Sequence, residues 1–124
     1  MTRTLLVLLA VFAASLEAAA QGPSERRLVC ERGPLGSRTY GGTVWDIYGC
    51  SDNRSVAVVT APGNPGLPFY FLFAESNGRY ELSGEGGGRP EFTRKAYDDL
   101  RRLSPQEIQA LVKDTLKAGP RPTQ

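Results

Sequence analysis

Residues 69–83 have the sequence FYFLFAESNGRYELS, and this stretch decides the fold. The aromatic-rich run before Asn77 and the shorter run after Gly78 are both typical of β-strands. Asn-Gly between two such runs favours a two-residue type I′ turn, because both central residues of that turn take positive φ. The stretch therefore predicts a β-hairpin with Asn77 and Gly78 at its tip.

The two-residue turn also fixes the register of the hairpin. The predicted pairs are Ser76 with Arg79, Glu75 with Tyr80, and Phe73 with Leu82. Side chains alternate between the two faces of a sheet, so each face has its own composition. The face predicted to be a core carries Phe69, Phe71, Phe73, Tyr80 and Leu82. The opposite face is mixed and carries Tyr70, Leu72, Ala74, Arg79, Glu81 and Ser83. We expect the C-terminal helices to cover this mixed face.

Three further strands are predicted upstream of the hairpin. They cover residues 28–31, 43–50 and 55–60, and a turn at 51–53 joins the last two. Residues 33–37 and the pair Gly41 and Gly42 are interpreted as breaks between strands. Residues 61–68 have the sequence APGNPGLP, whose three prolines and two glycines are incompatible with a helix or a central strand. This segment is predicted to be a loop.

Downstream of the glycine-rich residues 84–90, the apolar period becomes helical. Thr93 is the expected N-cap of a first helix, whose apolar positions are Ala96, Tyr97, Leu100 and Leu103. Ser104, Pro105 and Glu107 predict a capping box at the start of a second helix. Its expected buried stripe is Ile108, Leu111, Val112 and Leu116, and Gly119 with Pro120 is expected to end it. The predicted fold class is α+β, with an antiparallel sheet of about five strands and a C-terminal helical pair packed on one face.

The N-terminal residues have the pattern of a secretory signal peptide. Residues 1–20 combine Arg3, an apolar run at 5–14 and small residues before Ala20, after which we expect cleavage. The apolar run is about half as long as a membrane-spanning helix, so no stable membrane anchor is expected. Residues 21–27 are predicted to be flexible, 28–118 to form a single α+β domain, and 119–124 to be a disordered tail. The protein is therefore expected to be exported, soluble, and periplasmic or extracellular.

The chain has two cysteines, Cys30 and Cys50. An oxidising compartment favours their joining into one disulfide. Their separation of 20 positions lacks the C-x-x-C spacing of redox-active pairs, and no His or third Cys is present to complete a zinc site. We predict a structural disulfide.

Composition excludes several classes of function. Lys and Arg number 15 against 13 Asp and Glu, and the net charge of +2 is not gathered into a basic run, so nucleic acid is not an expected partner. The chain has no His, which removes the commonest general base and the commonest metal ligand. We predict no catalytic residue, no metal site and no cofactor. The alternative kept open is a small carboxylate-dependent hydrolase that uses Glu81.

Two groups of residues are candidates for a binding surface. The proline-rich loop is stiff and presents Asn64 and Leu67 at little ordering cost, although a plain connection between strands remains the alternative. Trp45, Tyr48 and Tyr70 combine apolar area with a hydrogen-bonding group, as residues of binding surfaces do, although core packing is the alternative for them.

Two short stretches carry a family resemblance. Tyr48, Gly49 and Cys50, and the later residues 76–80, resemble fragments of the exported inhibitors of C-type lysozyme. Those inhibitors are small disulfide-bonded β-barrel proteins, so the resemblance implies a barrel and inhibition of a lysozyme-type hydrolase. The predicted helical pair departs from that pattern, and no functional residue is carried over.

The sequence thus favours a small exported, non-enzymatic protein of the cell envelope that acts by binding a protein or peptidoglycan. Inhibition of a lysozyme-type hydrolase and carboxylate-dependent hydrolysis are the two alternatives.

Overall fold

A five-stranded antiparallel meander and two C-terminal helices make up the fold. The computed structural model describes residues 27–118. The predicted signal peptide, nearly all of the predicted flexible segment, the predicted helix-ending pair Gly119 and Pro120, and the rest of the predicted tail lie outside these residues. The strands are β1 (Ser37–Tyr40), β2 (Thr43–Gly49), β3 (Val56–Thr60), β4 (Phe69–Ser76) and β5 (Arg79–Gly86), which lie in chain order in one sheet. The helices are α1 (Pro90–Leu100) and α2 (Pro105–Ala118). The predicted α+β class is confirmed.

The β4–β5 hairpin has the predicted turn and register. Asn77 and Gly78 take φ values of 53° and 81°, in the left-handed region that the type I′ turn requires. Each predicted pair is present: Ser76 with Arg79, Glu75 with Tyr80, and Phe73 with Leu82. The turn is closed further by the Gly78 N–H, which donates to Glu75 Oε2 at 2.9 Å.

The first strand is not where the sequence placed it. Residues 28–31 form no strand, and the segment meets the sheet through a bridge between Arg32 and Gly49. Strand β1 lies between the two predicted breaks and overlaps the first of them at Ser37. Gly41 and Gly42 form the turn to β2 with φ values of 59° and 79°. Two consecutive residues at positive φ make a hairpin turn, so the glycine pair joins two strands where we expected an interruption.

The helices cover the phenylalanine face of the sheet, so the prediction that they cover the mixed face is wrong. The core cluster contains Trp45, Ile47, Val56, Val58, Phe71, Phe73, Ala96, Leu100, Ile108, Leu111 and Val112. Helix α1 contacts β1, and α2 contacts β2 and β3. The apolar stripes of the two helices bury the most surface against the face with the largest apolar side chains, which leaves the mixed face without a covering layer.

The predicted start of α1 is wrong, and the predicted start of α2 is confirmed. Helix α1 begins at Pro90, three residues before the expected cap, and Thr93 is a buried helical residue whose hydroxyl donates to the Pro90 carbonyl at 3.4 Å. Pro at the first helical position explains the earlier start, because its φ is already helical. At α2 the capping box is confirmed: the Glu107 N–H donates to Ser104 Oγ at 3.1 Å, and the Ser104 N–H donates to Glu107 Oε1 at 2.8 Å.

The buried stripe of α2 ends differently from the prediction. Leu116 is 45% exposed, whereas Thr115 is fully buried against Gly49 of β2. Burial of this threonine is tolerated because its hydroxyl donates to the Val112 carbonyl at 2.7 Å. Gly49 has no side chain, so the helix approaches the strand closely at this point.

The N-terminal segment is held to the sheet and to α2. The predicted disulfide between Cys30 and Cys50 is present. Arg32 donates to the carbonyl of Cys50, to the carbonyl of Thr115 and to Asn53 Oδ1, at 2.9 to 3.1 Å. Within residues 27–118, neither helix is long and apolar enough to span a membrane.

Candidate functional site

The sheet side opposite the helices is the candidate site, and we call it the open face. Alternation along each strand assigns residues to it, and one row crosses all five strands. That row is Ser37, Asp46, Val59, Tyr70 and Glu85. A parallel row contains Tyr48, Ala57, Leu72 and Ser83. No helix covers this surface in the described part of the chain.

A groove of about 580 Å³ lies where the open face meets the proline-rich loop. Its lining includes Val59, Leu67, Pro68, Tyr70 and Glu85. We call it the Tyr70 groove. Most of its lining is apolar, with a carboxylate at one edge, which is the composition of sites that take an apolar side chain and orient it with few polar contacts.

Tyr70 stands in the groove as an exposed hydrogen-bond donor. Tyr70 is 41% exposed, and its hydroxyl donates to Glu85 Oε2 at 3.0 Å. The hydrogen bond to Glu85 and the negative charge of that carboxylate raise the pKa of Tyr70 above its ordinary value of 10.0. The phenol therefore stays protonated at physiological pH.

Leu67 is presented by a loop that Asn64 organises from within. The Asn64 Nδ2 donates to the Val44 carbonyl at 2.6 Å, and Asn64 Oδ1 accepts from the Gly66 N–H at 2.7 Å. These bonds tie the loop to β2 and close a turn next to Leu67, which is 50% exposed. The loop therefore holds an apolar side chain outward beside Tyr70.

The prediction that Trp45 and Asn64 belong to a binding surface is wrong, because both residues are buried. Trp45 is fully buried in the core, and its indole N–H donates to the Tyr40 carbonyl at 3.2 Å and to Thr43 Oγ1 at 2.9 Å. Its position in β2 puts it on the helix side of the sheet. Asn64 is only 6% exposed, because both ends of its amide bond to the backbone.

The remaining three candidates lie on one side of the molecule. Leu67 and Tyr70 line the same groove. Tyr48 is half-buried on the open face, in the neighbouring row. Two contributors were missed: Val44, which is 43% exposed on this face, and Val59 in the groove. The alternation in 43–50 contained the signal for Val44, because Asp46 between Val44 and Tyr48 marks the solvent side of β2.

The open face is acidic although the chain is basic. Its charged residues in the described chain are Asp46, Glu81 and Glu85 against Arg79, which gives a formal charge of −2. The whole chain carries +2. The basic residues of the described chain are therefore concentrated on the other surfaces.

Glu81, the residue of the hydrolase hypothesis, is exposed on the open face opposite Ala74. It lies at the edge of a shallow depression beside the hairpin tip, with Arg79 and Tyr80. Among residues 27–118, no three side chains of Asp, Glu, Cys or His lie close enough together to hold a metal ion.

The two stretches that resemble lysozyme inhibitors have structural roles here. Gly49 packs against α2, Cys50 is in the disulfide, and Asn77 with Gly78 forms the hairpin turn. The strands form an open sheet, whereas the resemblance implies a barrel. No family model, no curated protein and no solved structure matches this chain.

Proposed function

We propose that this chain is a small exported, non-enzymatic protein of the cell envelope that binds a basic protein partner through its open face. The observation that carries the proposal is the set of exposed apolar residues on and beside an acidic sheet face: Val44, Leu67 and Tyr70, with Asp46 and Glu85.

The apolar residues argue for a protein partner. Val44, Leu67 and Tyr70 are 43%, 50% and 41% exposed, and water contacts all three. Exposed apolar residues on one side of a protein are a feature of interaction sites, and a tyrosine in a shallow groove is a frequent centre of binding energy. Leu67 is held outward by a hydrogen-bonded loop, so little conformational entropy is lost when a partner covers it.

The charges argue for a basic partner. A face with a formal charge of −2 attracts lysine- or arginine-rich surfaces and repels acidic ones, and this raises the rate of encounter more than the final affinity. We therefore expect association with the partner to slow as ionic strength rises.

Export is supported by two features. The disulfide between Cys30 and Cys50 is of the kind that persists in an oxidising compartment. The signal-like residues 1–20 point to the same compartment.

The test is affinity capture from an envelope extract with the disulfide-bonded chain and two variants of it. Leu67→Asp places a charge in the Tyr70 groove, and Leu116→Asp makes the same change at a residue of similar exposure on α2. We expect one basic protein to be retained by the original chain and by Leu116→Asp, and at least about tenfold less of it by Leu67→Asp. Equal retention by both variants would exclude the open face, and recovery of peptidoglycan fragments would replace the protein partner with a wall polymer.

A lysozyme-type hydrolase is the second candidate, and it is one particular basic partner. The acidic open face is the observation that favours it, because lysozymes of this type are basic proteins. Adding the chain in molar excess to a lysis assay tests the candidate directly. We expect inhibition by the original chain and by Leu116→Asp but not by Leu67→Asp. Undiminished lysis with the original chain would exclude that hydrolase as the target.

A further inference from the structure

Strand β5 is the longer of the two edge strands, and its outer edge is free within the described residues. It has eight residues, against four in β1, and α1 packs against β1. In a hairpin with a two-residue turn, the residues that flank the turn form a hydrogen-bonded pair, here Ser76 and Arg79. The ladder to β4 then uses the odd-numbered residues of β5. The backbone N–H and C=O groups of Tyr80, Leu82 and Gly84 point away from the sheet.

We propose that β5 pairs with β5 of a second copy of this chain, antiparallel and with Leu82 of each copy opposite Leu82 of the other. The pairing forms one ten-stranded sheet across a two-fold axis. The outward groups of Tyr80, Leu82 and Gly84 then supply about six inter-subunit hydrogen bonds. The proposal does not rest on the binding function proposed above.

The charges of β5 are self-complementary in this register. Arg79 lies opposite Glu85 of the partner subunit, and by symmetry the same pair forms at the other end. Glu81 lies opposite Ser83 of the partner subunit. Opposite charges across a pair of strands attract, and like charges directly opposite each other repel. All these side chains are on the open face, on the same side of both copies.

Neighbouring registers are disfavoured by the same residues. Only even shifts keep outward backbone groups opposite outward groups. A shift of two residues in one direction places Glu81 opposite itself, and a shift in the other direction places it opposite Glu85. Charged side chains commonly protect an edge strand against pairing, but Arg79 and Glu85 have opposite signs and attract each other in the proposed register.

The helix side of β5 also offers an aromatic contact surface to the second copy. In the proposed register Tyr80 lies opposite Gly84 of the partner subunit. Within each copy the rings of Phe69 and Phe71 fill the space beside Gly84, so the tyrosine ring meets aromatic surface there. Next to Gly84 is a cavity of about 330 Å³, lined in part by Phe69, Phe71 and Tyr97. Tyr97 is 39% exposed there. Pairing of β5 would therefore cover aromatic surface on the helix side as well as join the backbones.

Analytical ultracentrifugation over about 10 µM to 1 mM, together with a charge swap, tests the pairing. We expect the original chain to dimerise, and Arg79→Glu or Glu85→Arg to weaken dimerisation about tenfold or more, since each change puts like charges opposite each other at two places. The double variant Arg79→Glu/Glu85→Arg restores the attraction and should recover the dimer. Lys113→Glu, on α2, is the control for the change of charge.

Amide hydrogen exchange locates the interface independently of the variants. We expect the N–H groups of Tyr80, Leu82 and Gly84 to gain protection as concentration rises, while those of Glu81 and Ser83 are protected at every concentration. A chain that stays monomeric at about 1 mM would overturn the proposal. A dimer that Arg79→Glu and Lys113→Glu weaken equally, or one without alternating protection in β5, would also overturn it. None of these readouts involves the basic partner, so the two proposals fail separately.

Discussion

Replacement of Asn64 by alanine is expected to destabilise the protein, because this amide holds the proline-rich loop in place. Its Nδ2 donates to the Val44 carbonyl at 2.6 Å, and its Oδ1 accepts from the Gly66 N–H at 2.7 Å. Asn64 is 6% exposed and Gly66 is also buried, so water does not easily replace either bond.

The two bonds differ in what their loss costs. The Val44 carbonyl also accepts from the Ala61 N–H at 3.2 Å, so it keeps a partner in Asn64→Ala. Loss of its bond from Asn64 costs about 0.5 to 1 kcal/mol. The Gly66 N–H is left buried without an acceptor, which costs about 1 to 3 kcal/mol. We expect the free energy of unfolding to fall by about 1.5 to 4 kcal/mol in total.

Urea unfolding followed by circular dichroism measures this loss. With a slope of about 1.5 kcal/mol per M urea, which is typical of a small domain, the midpoint should fall by about 1 to 3 M urea. Leu67→Ala is the matched control, because Leu67 is in the same loop but 50% exposed, and its change should stay within about 0.5 kcal/mol. If Asn64→Ala shifts the midpoint no more than Leu67→Ala does, Asn64 does not hold the loop in place. The argument that a rigid loop keeps Leu67 exposed is then refuted.

Two further predictions concern stability. Gly49→Ala would place its Cβ 2.5 Å from Thr115 Oγ1 and 2.7 Å from Thr115 Cβ, so we expect a loss of about 1 to 3 kcal/mol in urea unfolding. Adding Thr115→Ala removes the contact with Oγ1 but not the contact with Cβ, so it should recover only part of the loss. A neutral single variant would mean that α2 does not pack closely on Gly49. For Asp52, burial opposes ionisation, but hydrogen bonds from the Ser55 hydroxyl and from the N–H groups of Arg54 and Ser55 outweigh it, and the pKa falls below its ordinary value of 3.8. A lowered folded pKa stabilises the protein above the unfolded pKa, and this is lost as pH falls through the folded pKa. The stability difference between the original chain and Asp52→Asn should therefore shrink below about pH 4, and a difference that is constant with pH would contradict the assignment.

The features that sequence predicted correctly are those decided by neighbouring residues. Asn77 and Gly78 fix the hairpin because their positive φ values are a local requirement. Ser104 and Glu107 form the capping box because both partners lie within one helical turn. Such interactions need no knowledge of the rest of the fold.

The predictions are wrong where the structure of a residue depends on contacts with segments far along the chain. Gly41 and Gly42 are compatible with a break as well as with a turn, and only the pairing of β1 with β2 distinguishes the two. Thr115 and Leu116 are adjacent on the helix, and the close approach to Gly49 determines which of them is buried. Asn64 has the residue type of an exposed loop tip, and its internal hydrogen bonds depend on a strand 20 positions away.

The open face is uncovered because the two helices have enough apolar surface to cover only one side of the sheet. Apolar side chains from α1 and α2 meet the face that carries Phe71 and Phe73, and the helices have no second apolar stripe for the other side. The open face must therefore be compatible with water, which accounts for its polar residues but not for the exposed Leu67 and Tyr70. Exposure of Leu67 is maintained by the buried bonds of Asn64, so the loop is stabilised in a conformation that leaves an apolar side chain in water. Within residues 27–118 Leu67 stays 50% exposed, and a binding partner that covered it would offset that cost.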